Sequence, residues 1–176
     1  MRLNLREIIE IPGGSVPFSQ ELDTALLDFP SVRAYTAPIT AEGKVVNTAG
    51  ILTLQGKLHA ELLCVCDRCG AEFPRTVDLD LHADITADAQ DDDPEVFTLD
   101  GDWLDVDEVL STCFILSMDT KCLCKPDCAG LCDRCGANLN LGPCRCQKPR
   151  DPRMAVLEQL LDNKTDEEEE AAHNSD

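Results

Sequence analysis

Aromatic residues are scarce in this sequence, which contains one Trp, one Tyr and five Phe. So few rings offer no stacking platform for single-stranded nucleic acid, and the core must rely on Leu, Val, Ile and Cys. Positive charge is also scarce, because 15 Lys and Arg stand against 34 Asp and Glu, for a formal net charge of -19. That excess repels phosphate at long range and favours a basic protein partner.

Long hydrophobic runs are absent as well. Residues 1–10 carry a charge every few positions and lack the apolar stretch of an export signal, and no segment has the length of a membrane span. We therefore expect a cytoplasmic protein without a membrane anchor. Paired carboxylates in an apolar cleft, a Ser-His-Asp series, a glycine-rich phosphate loop and H-E-x-x-H are all missing, so we expect neither an enzyme nor a small-molecule substrate.

Alternation of apolar and polar residues predicts a long antiparallel hairpin. In each strand the apolar residues occupy alternate positions. They are Leu52, Leu54, Leu58, Ala60, Leu62 and Cys64 in the first strand, and Val77, Leu79, Leu81, Ala83 and Ile85 in the second. Residues 32–39 and 44–49 predict shorter strands around a turn at residues 41–43, whereas residues 10–30 show no clear pattern. The fold class expected is α+β, with a hairpin-rich antiparallel sheet.

Two short helices complete this prediction. The first spans residues 105–117, with Asp105 as N-cap, Glu108 three residues later, and an apolar face of Val106, Val109, Leu110, Cys113 and Phe114. The second begins at Asp151-Pro152 and turns Met154, Leu157, Leu160 and Leu161 inward. We expect Asp91–Asp93 to lie in an exposed loop.

The predicted organisation has three parts. Residues 1–120 form the sheet domain with one packed helix. Residues 121–162 form a small zinc-ribbon-like module and the C-terminal helix, and residues 163–176 form a disordered acidic tail.

Cysteine is abundant, with eleven residues, and without an export signal these thiols remain reduced unless a metal binds them. Eight of them form four close pairs: Cys66 with Cys69, Cys124 with Cys128, Cys132 with Cys135, and Cys144 with Cys146. Zn²⁺ favours four thiolates in a tetrahedral site, so four pairs predict two zinc ions. Two rubredoxin-like iron sites for electron transfer are the alternative.

The spacing favours one local and one long-range site. Only eight residues separate Cys135 from Cys144, so these two pairs can close on each other, which leaves the pair at Cys66 to join the pair at Cys124. The other grouping combines Cys124, Cys128, Cys132 and Cys135. Cys64 and Cys113 lie on apolar faces and are expected to be buried hydrophobes; Cys122 is left unassigned.

Basic residues are concentrated in one part of this acidic chain. Residues 121–153 contain three Asp and seven basic residues, which are Lys121, Lys125, Arg134, Arg145, Lys148, Arg150 and Arg153. This excess predicts a local RNA-contacting face, although solubility also accounts for it.

A known family carries the same motifs. Residues 122–146 read CLCKPDCAGLCDRCGANLNLGPCRC and are followed by Asp151-Pro152-Arg153, and Leu3–Glu7 and Cys66–Gly70 also match. This pattern resembles the YceD family, also called DUF177. The resemblance implies a role in synthesis, processing or stability of large-subunit (23S) ribosomal RNA, with the rRNA precursor or a basic large-subunit ribosomal protein as partner, and no catalytic residues. A general zinc adaptor that binds a basic protein is the other alternative.

Overall fold

Two long strands, Ile51–Val65 and Glu72–Thr86, form the hairpin at the centre of the main sheet. The computed structural model describes residues 1–86 and 96–146. The chain forms two compact units, Met1–Leu131 and Cys132–Asp176. The regular elements of the first unit are β1 (Arg2–Asn4), α1 (Arg6–Ile9), β2 (Ser15–Leu22), β3 (Val32–Tyr35), β4 (Ile39–Thr48), β5 (Ile51–Val65), β6 (Glu72–Thr86), β7 (Val96–Thr98), β8 (Trp103–Asp105) and α2 (Val106–Ser117).

The main sheet has the strand order β2-β4-β5-β6-β7, and β3 pairs with the far part of β5. All of these pairings are antiparallel except β6 with β7. The pairing of β5 with β6 runs from Leu52 opposite Ile85 to Val65 opposite Glu72. The predicted hairpin and the antiparallel sheet are thus confirmed, and β1 and β8 form a separate two-stranded sheet.

The core lies on the face of the sheet to which the alternating apolar side chains of β5 point. Leu54, Leu58 and Leu62 are fully buried there, as expected from the alternation. Helix α2 contributes Val106, Val109, Leu110 and Phe114 to the core, while Cys113 is only partly buried. The ring of Phe114 meets Phe29 edge to face, with the ring centroids 5.7 Å apart.

The N-terminus of α2 confirms the predicted cap. Asp105 is the N-cap residue, and its carboxylate accepts a hydrogen bond from the backbone N–H of Asp107. The structure also contains the short helix α1, which the sequence did not predict. The buried amide of Asn47 donates to the carbonyl oxygens of Ile8 and Ile9 and thereby holds α1 against the end of β4.

The predicted turn at residues 41–43 is wrong. Strand β4 continues through these residues from Ile39 to Thr48 and pairs with both β2 and β5. Gly43 faces Gly56 across the sheet, so this glycine permits a close approach of two backbones and does not reverse the chain. Strand β2 was also missed, because Pro17 and Gln20 interrupt the short alternation of Val16, Phe18 and Leu22.

Several predicted features lie outside the described residues: the acidic loop at Asp91–Asp93, the helix beginning at Asp151, and the tail 163–176. Within the described ranges, no helix has the length and apolar character that crossing a membrane requires.

Candidate metal centres

The first cysteine pair lies at the tip of the β5–β6 hairpin. The N–H of Cys66 donates to the carbonyl oxygen of Ala71 at 2.9 Å, and the N–H of Gly70 donates to that of Cys66 at 2.8 Å. Gly70 has a φ of 68°, a left-handed conformation that favours glycine. These contacts fold the tip into a tight knuckle that presents Cys66 and Cys69 together.

The second pair is carried by the segment that follows α2. Four Sγ atoms, those of Cys66, Cys69, Cys124 and Cys128, all lie within 4.8 Å of one another. The distance between Sγ atoms is 3.7 Å from Cys66 to Cys128 and 3.7 Å from Cys69 to Cys124. A tetrahedral zinc ion with Zn–S bonds of about 2.3 Å requires sulfurs about 3.8 Å apart. The cluster therefore has the dimensions of a four-thiolate site.

The second cluster belongs to the second unit. Cys132, Cys135, Cys144 and Cys146 also have their Sγ atoms within 4.8 Å of one another, and those of Cys132 and Cys144 are 3.4 Å apart. The structure thus brings the eight predicted residues together in the grouping that the spacing favoured, and it does not combine the pair at Cys124 with the pair at Cys132. Each cluster of four thiols could hold a metal ion.

Backbone donors prepare the first cysteine of the first knuckle for metal binding. Burial alone raises the pKa of Cys66, but hydrogen bonds from the backbone N–H groups of Cys124, Cys69 and Arg68 outweigh it and lower this pKa to about 6. Burial and the neighbouring Cys128 thiol raise the pKa of Cys124 to about 12. The sulfur of Cys66 is therefore readily available as a thiolate, whereas that of Cys124 must release its proton to solvent when a metal ion binds.

The second cluster repeats this asymmetry. Backbone N–H groups of Cys135 and Arg134 lower the pKa of Cys132 to about 7. A hydrogen bond with Cys135, together with burial, raises the pKa of Cys146 to about 12. In both clusters the first cysteine of a C-x2-C-G knuckle is the one stabilised as a thiolate, because the turn aims N–H groups at its sulfur.

The three remaining cysteines are outside both clusters. Cys64 and Cys122 are buried, and Cys113 is partly buried. Burial, followed by a hydrogen bond with Cys122, raises the pKa of Cys64 to about 11. Arg75 reaches the sulfur of Cys122 at 3.9 Å and binds the carboxylate of Asp119 at 2.6 Å. Cys122 thus packs beside Cys64 and contacts Arg75.

Two residues that the sequence analysis did not assign hold the first site together. Asp67 donates its N–H to the carbonyl oxygen of Cys122 and accepts the N–H of Cys122 on its carboxylate. The guanidinium of Arg68 donates to the carbonyl oxygen of Cys128, and the Arg68 carbonyl accepts from the N–H of Leu131. Their position between the two cysteines of a knuckle is the sequence feature that could have identified them as part of the site.

The predicted RNA-contacting residues are only partly described. Lys121, Lys125, Arg134 and Arg145 are exposed, and the ammonium group of Lys125 lies 4.0 Å from the carboxylate of Asp127. Lys148, Arg150 and Arg153 lie outside the described residues.

Comparison with known proteins identifies one family model and several relatives. The family model for the large ribosomal RNA subunit accumulation protein YceD matches residues 54–161. An uncharacterised protein of Mycobacterium tuberculosis is 27% identical over 122 residues, which is 66% of this chain and 58% of that protein. A maize protein, named as chloroplastic homolog 1 of the large ribosomal RNA subunit accumulation protein YCED, is 24% identical over 147 residues, covering 65% of this chain and 50% of that protein.

The chain therefore spans between half and three fifths of the length of these relatives. No solved structure matches it. The fold and the two clusters define a class of protein, an antiparallel sheet domain with four-cysteine knuckle sites. Within this class, the chain belongs to the YceD family, and the resemblance noted in the sequence is confirmed.

Proposed function

We propose that this protein is a non-enzymatic, zinc-binding cytoplasmic factor that supports synthesis, processing or stability of large-subunit (23S) ribosomal RNA. The observation that carries the proposal is that the family match over residues 54–161 includes all eight cysteines of the two clusters. The family is named for accumulation of this RNA. The clusters therefore lie in the part of the chain by which the family is defined.

Zinc would serve a structural role at both clusters. Four thiolates fill the tetrahedral coordination of Zn²⁺, so no position is left for a water molecule or a substrate. The metal would fix the hairpin tip and the segment around Cys124 in the first unit, and the residues from Cys132 to Cys146 in the second. Iron in the same thiolate cages would give a coloured redox protein, which absorption spectroscopy distinguishes from a zinc protein.

Two partners are proposed, the rRNA precursor and a basic large-subunit ribosomal protein. The charges of the chain bear on the choice between them. A net charge of -19 favours the basic protein. The exposed residues Lys121, Lys125, Arg134 and Arg145 favour a local RNA contact, although each loaded cluster adds a charge of about -2 that offsets part of theirs.

Depletion of the protein in its own cells tests this function. We expect a lower ratio of large- to small-subunit ribosomal RNA, restored by the wild-type gene and by Cys113→Ala, whose sulfur is outside both clusters. Cys66→Ser combined with Cys69→Ser should not restore the ratio. Elemental analysis of the purified wild type should give two zinc ions per chain. A normal ratio after depletion would overturn the proposal.

A further inference from the structure

The two knuckles are repeats of one another. Residues 66–70 and 132–136 both read Cys-Asp-Arg-Cys-Gly. In the second knuckle the N–H of Cys132 donates to the carbonyl oxygen of Ala137 at 2.8 Å, and the N–H of Gly136 donates to that of Cys132 at 2.9 Å. These are the same two hydrogen bonds as in the first knuckle, and φ of Gly136 is 70° against 68° at Gly70. The backbones therefore present their Asp-Arg pairs in the same way.

In the first knuckle the Asp-Arg pair binds main-chain groups of the segment that follows α2. Asp67 exchanges two hydrogen bonds with Cys122, at 2.9 Å to its carbonyl oxygen and 2.6 Å from its N–H. Arg68 makes two more, from its guanidinium to the carbonyl oxygen of Cys128 at 2.9 Å and from the N–H of Leu131 to its own carbonyl at 3.1 Å. All four bonds involve backbone groups of the bound segment, so they recognise its main chain more than particular side chains.

The second knuckle offers the same groups without such a partner among the residues described. Asp133 and Arg134 are both exposed. One carboxylate oxygen of Asp133, Oδ1, lies 3.7 Å from the sulfur of Cys132. The N–H of Arg134 points to the same sulfur, as that of Arg68 does to Cys66. The N–H and Oδ2 of Asp133 and the guanidinium and carbonyl of Arg134 remain available within residues 132–146.

We propose that Asp133 and Arg134 form a docking site for a non-helical loop segment of another protein chain, which they bind through its main-chain N–H and C=O groups as Asp67 and Arg68 bind residues 122–131. The first knuckle shows the geometry of this recognition with the same residues. A carboxylate at the centre of the site repels phosphate, so polypeptide fits it better than the backbone of RNA.

The sequence around the second pair argues against a partner from the corresponding part of the same chain. Cys122, which Asp67 binds, stands two residues before the second ligand pair, and the residue in that position before Cys144 is Gly142, which makes no hydrogen bond with Asp133. Leu131 stands three residues after Cys128, and the residue in that position after Cys146 is Pro149, which has no N–H to donate.

A peptide titration tests the proposal. The probe is a synthetic peptide with the sequence of residues 119–131 of this chain, carrying Cys122→Ser, Cys124→Ser and Cys128→Ser so that it cannot remove zinc. It is added to the zinc-loaded, ¹⁵N-labelled full chain. We expect saturable NMR shifts at the amides of Asp133 and Arg134, with a Kd on the order of 1 mM, since four hydrogen bonds support no more.

Variants separate hydrogen bonding from charge. Asp133→Ala and Arg134→Ala should each weaken binding about fivefold, the effect of losing a hydrogen-bonding side chain. Asp133→Asn, which retains an acceptor oxygen, should bind within about twofold of the wild type. Arg145→Ala removes the same charge from the same unit and should leave binding unchanged. Zinc content, measured on each variant, should stay at the wild-type value.

Three results would overturn the proposal. The first is the absence of saturable shifts at residues 133 and 134. The second is an equal loss of binding in Arg145→Ala and Arg134→Ala, which would mean that charge alone is responsible. The third is that a single-stranded RNA 12-mer shifts these amides while the peptide does not, which would assign the site to nucleic acid.

Discussion

Gly43 and Gly56 lie directly opposite each other in strands β4 and β5, and the paired backbones leave no room for a Cβ atom on either residue. A Cβ added to Gly43 would lie 2.7 Å from the Cα of Gly56 and 2.9 Å from Cζ of Phe18. One added to Gly56 would lie 2.9 Å from the Cα of Gly43. The ring of Phe18 thus occupies the space above the glycine that a larger residue would need.

Replacing Gly43 by alanine should therefore destabilise the sheet. We expect Gly43→Ala to lower the free energy of unfolding by about 1–3 kcal/mol, the usual cost of an overpacked position. Urea unfolding followed by fluorescence of Trp103, the sole tryptophan, measures this loss. Ser19→Ala, at an exposed position of β2, is the control and should change stability by less than about 0.5 kcal/mol. Equal stability of both variants would refute the close-approach argument.

The two clusters should differ in how much they stabilise the chain. Cys66 and Cys128 are 62 residues apart in sequence, and Cys132 and Cys144 are 12 apart. Chain entropy alone makes the longer closure more stabilising by about 1.5 kcal/mol. We therefore expect Cys66→Ser to lower the melting temperature of the first unit clearly, whereas Cys144→Ser should chiefly release the second cluster. Differential scanning calorimetry of the zinc-loaded variants compares them, and equal losses would contradict this ranking.

Zinc binding should release protons. At neutral pH the thiols of Cys124 and Cys146 are protonated, since each pKa is raised to about 12. A metal ion must displace these protons, so zinc affinity should rise with pH and fall in acid. Calorimetric titration of the metal-free protein at pH 7 in buffers of different ionisation enthalpy should give at least two protons released per chain. A buffer-independent enthalpy would contradict it.

The basic residues after Lys121 are predicted to contact RNA. Changing Arg145, Lys148 and Arg150 to Ala together should weaken binding of ribosomal RNA and flatten its salt dependence, because fewer counterions are released. Filter binding across a salt series measures both effects, and zinc content should not change.

The same substitutions separate the two proposed partners. If the partner is a basic ribosomal protein, they should leave complex formation intact, and the complex should instead weaken when Glu167–Glu170 are deleted or Asp91–Asp93 are neutralised. A pull-down with ribosomal proteins provides this comparison. Unchanged binding in every variant would show that neither charged segment is the functional surface.

The regular parts of the fold could be predicted because their patterns are local. Two strands of alternating polarity give the β5–β6 hairpin, and a capped apolar period gives α2. The prediction from the sequence was wrong at residues 41–43, because Gly43, which was interpreted as part of a turn, lies inside strand β4. Only pairing with β5 shows that Gly43 faces Gly56, and sequence position does not reveal what lies across a sheet.

The sequence by itself determined which groups form the clusters, since four close cysteine pairs supply the eight thiols that two four-thiolate metal sites require. It also favoured the grouping of the pairs, because the eight residues from 136 to 143 can fold back as a ribbon, whereas joining the pairs at Cys124 and Cys132 would leave the two remaining pairs far apart in sequence. Tertiary structure alone decided what holds the long-range cluster together. The hydrogen bonds of Asp67 to Cys122 and of Arg68 to Cys128 join residues 55 and 60 positions apart, and such contacts exist only once the hairpin tip meets the segment after α2.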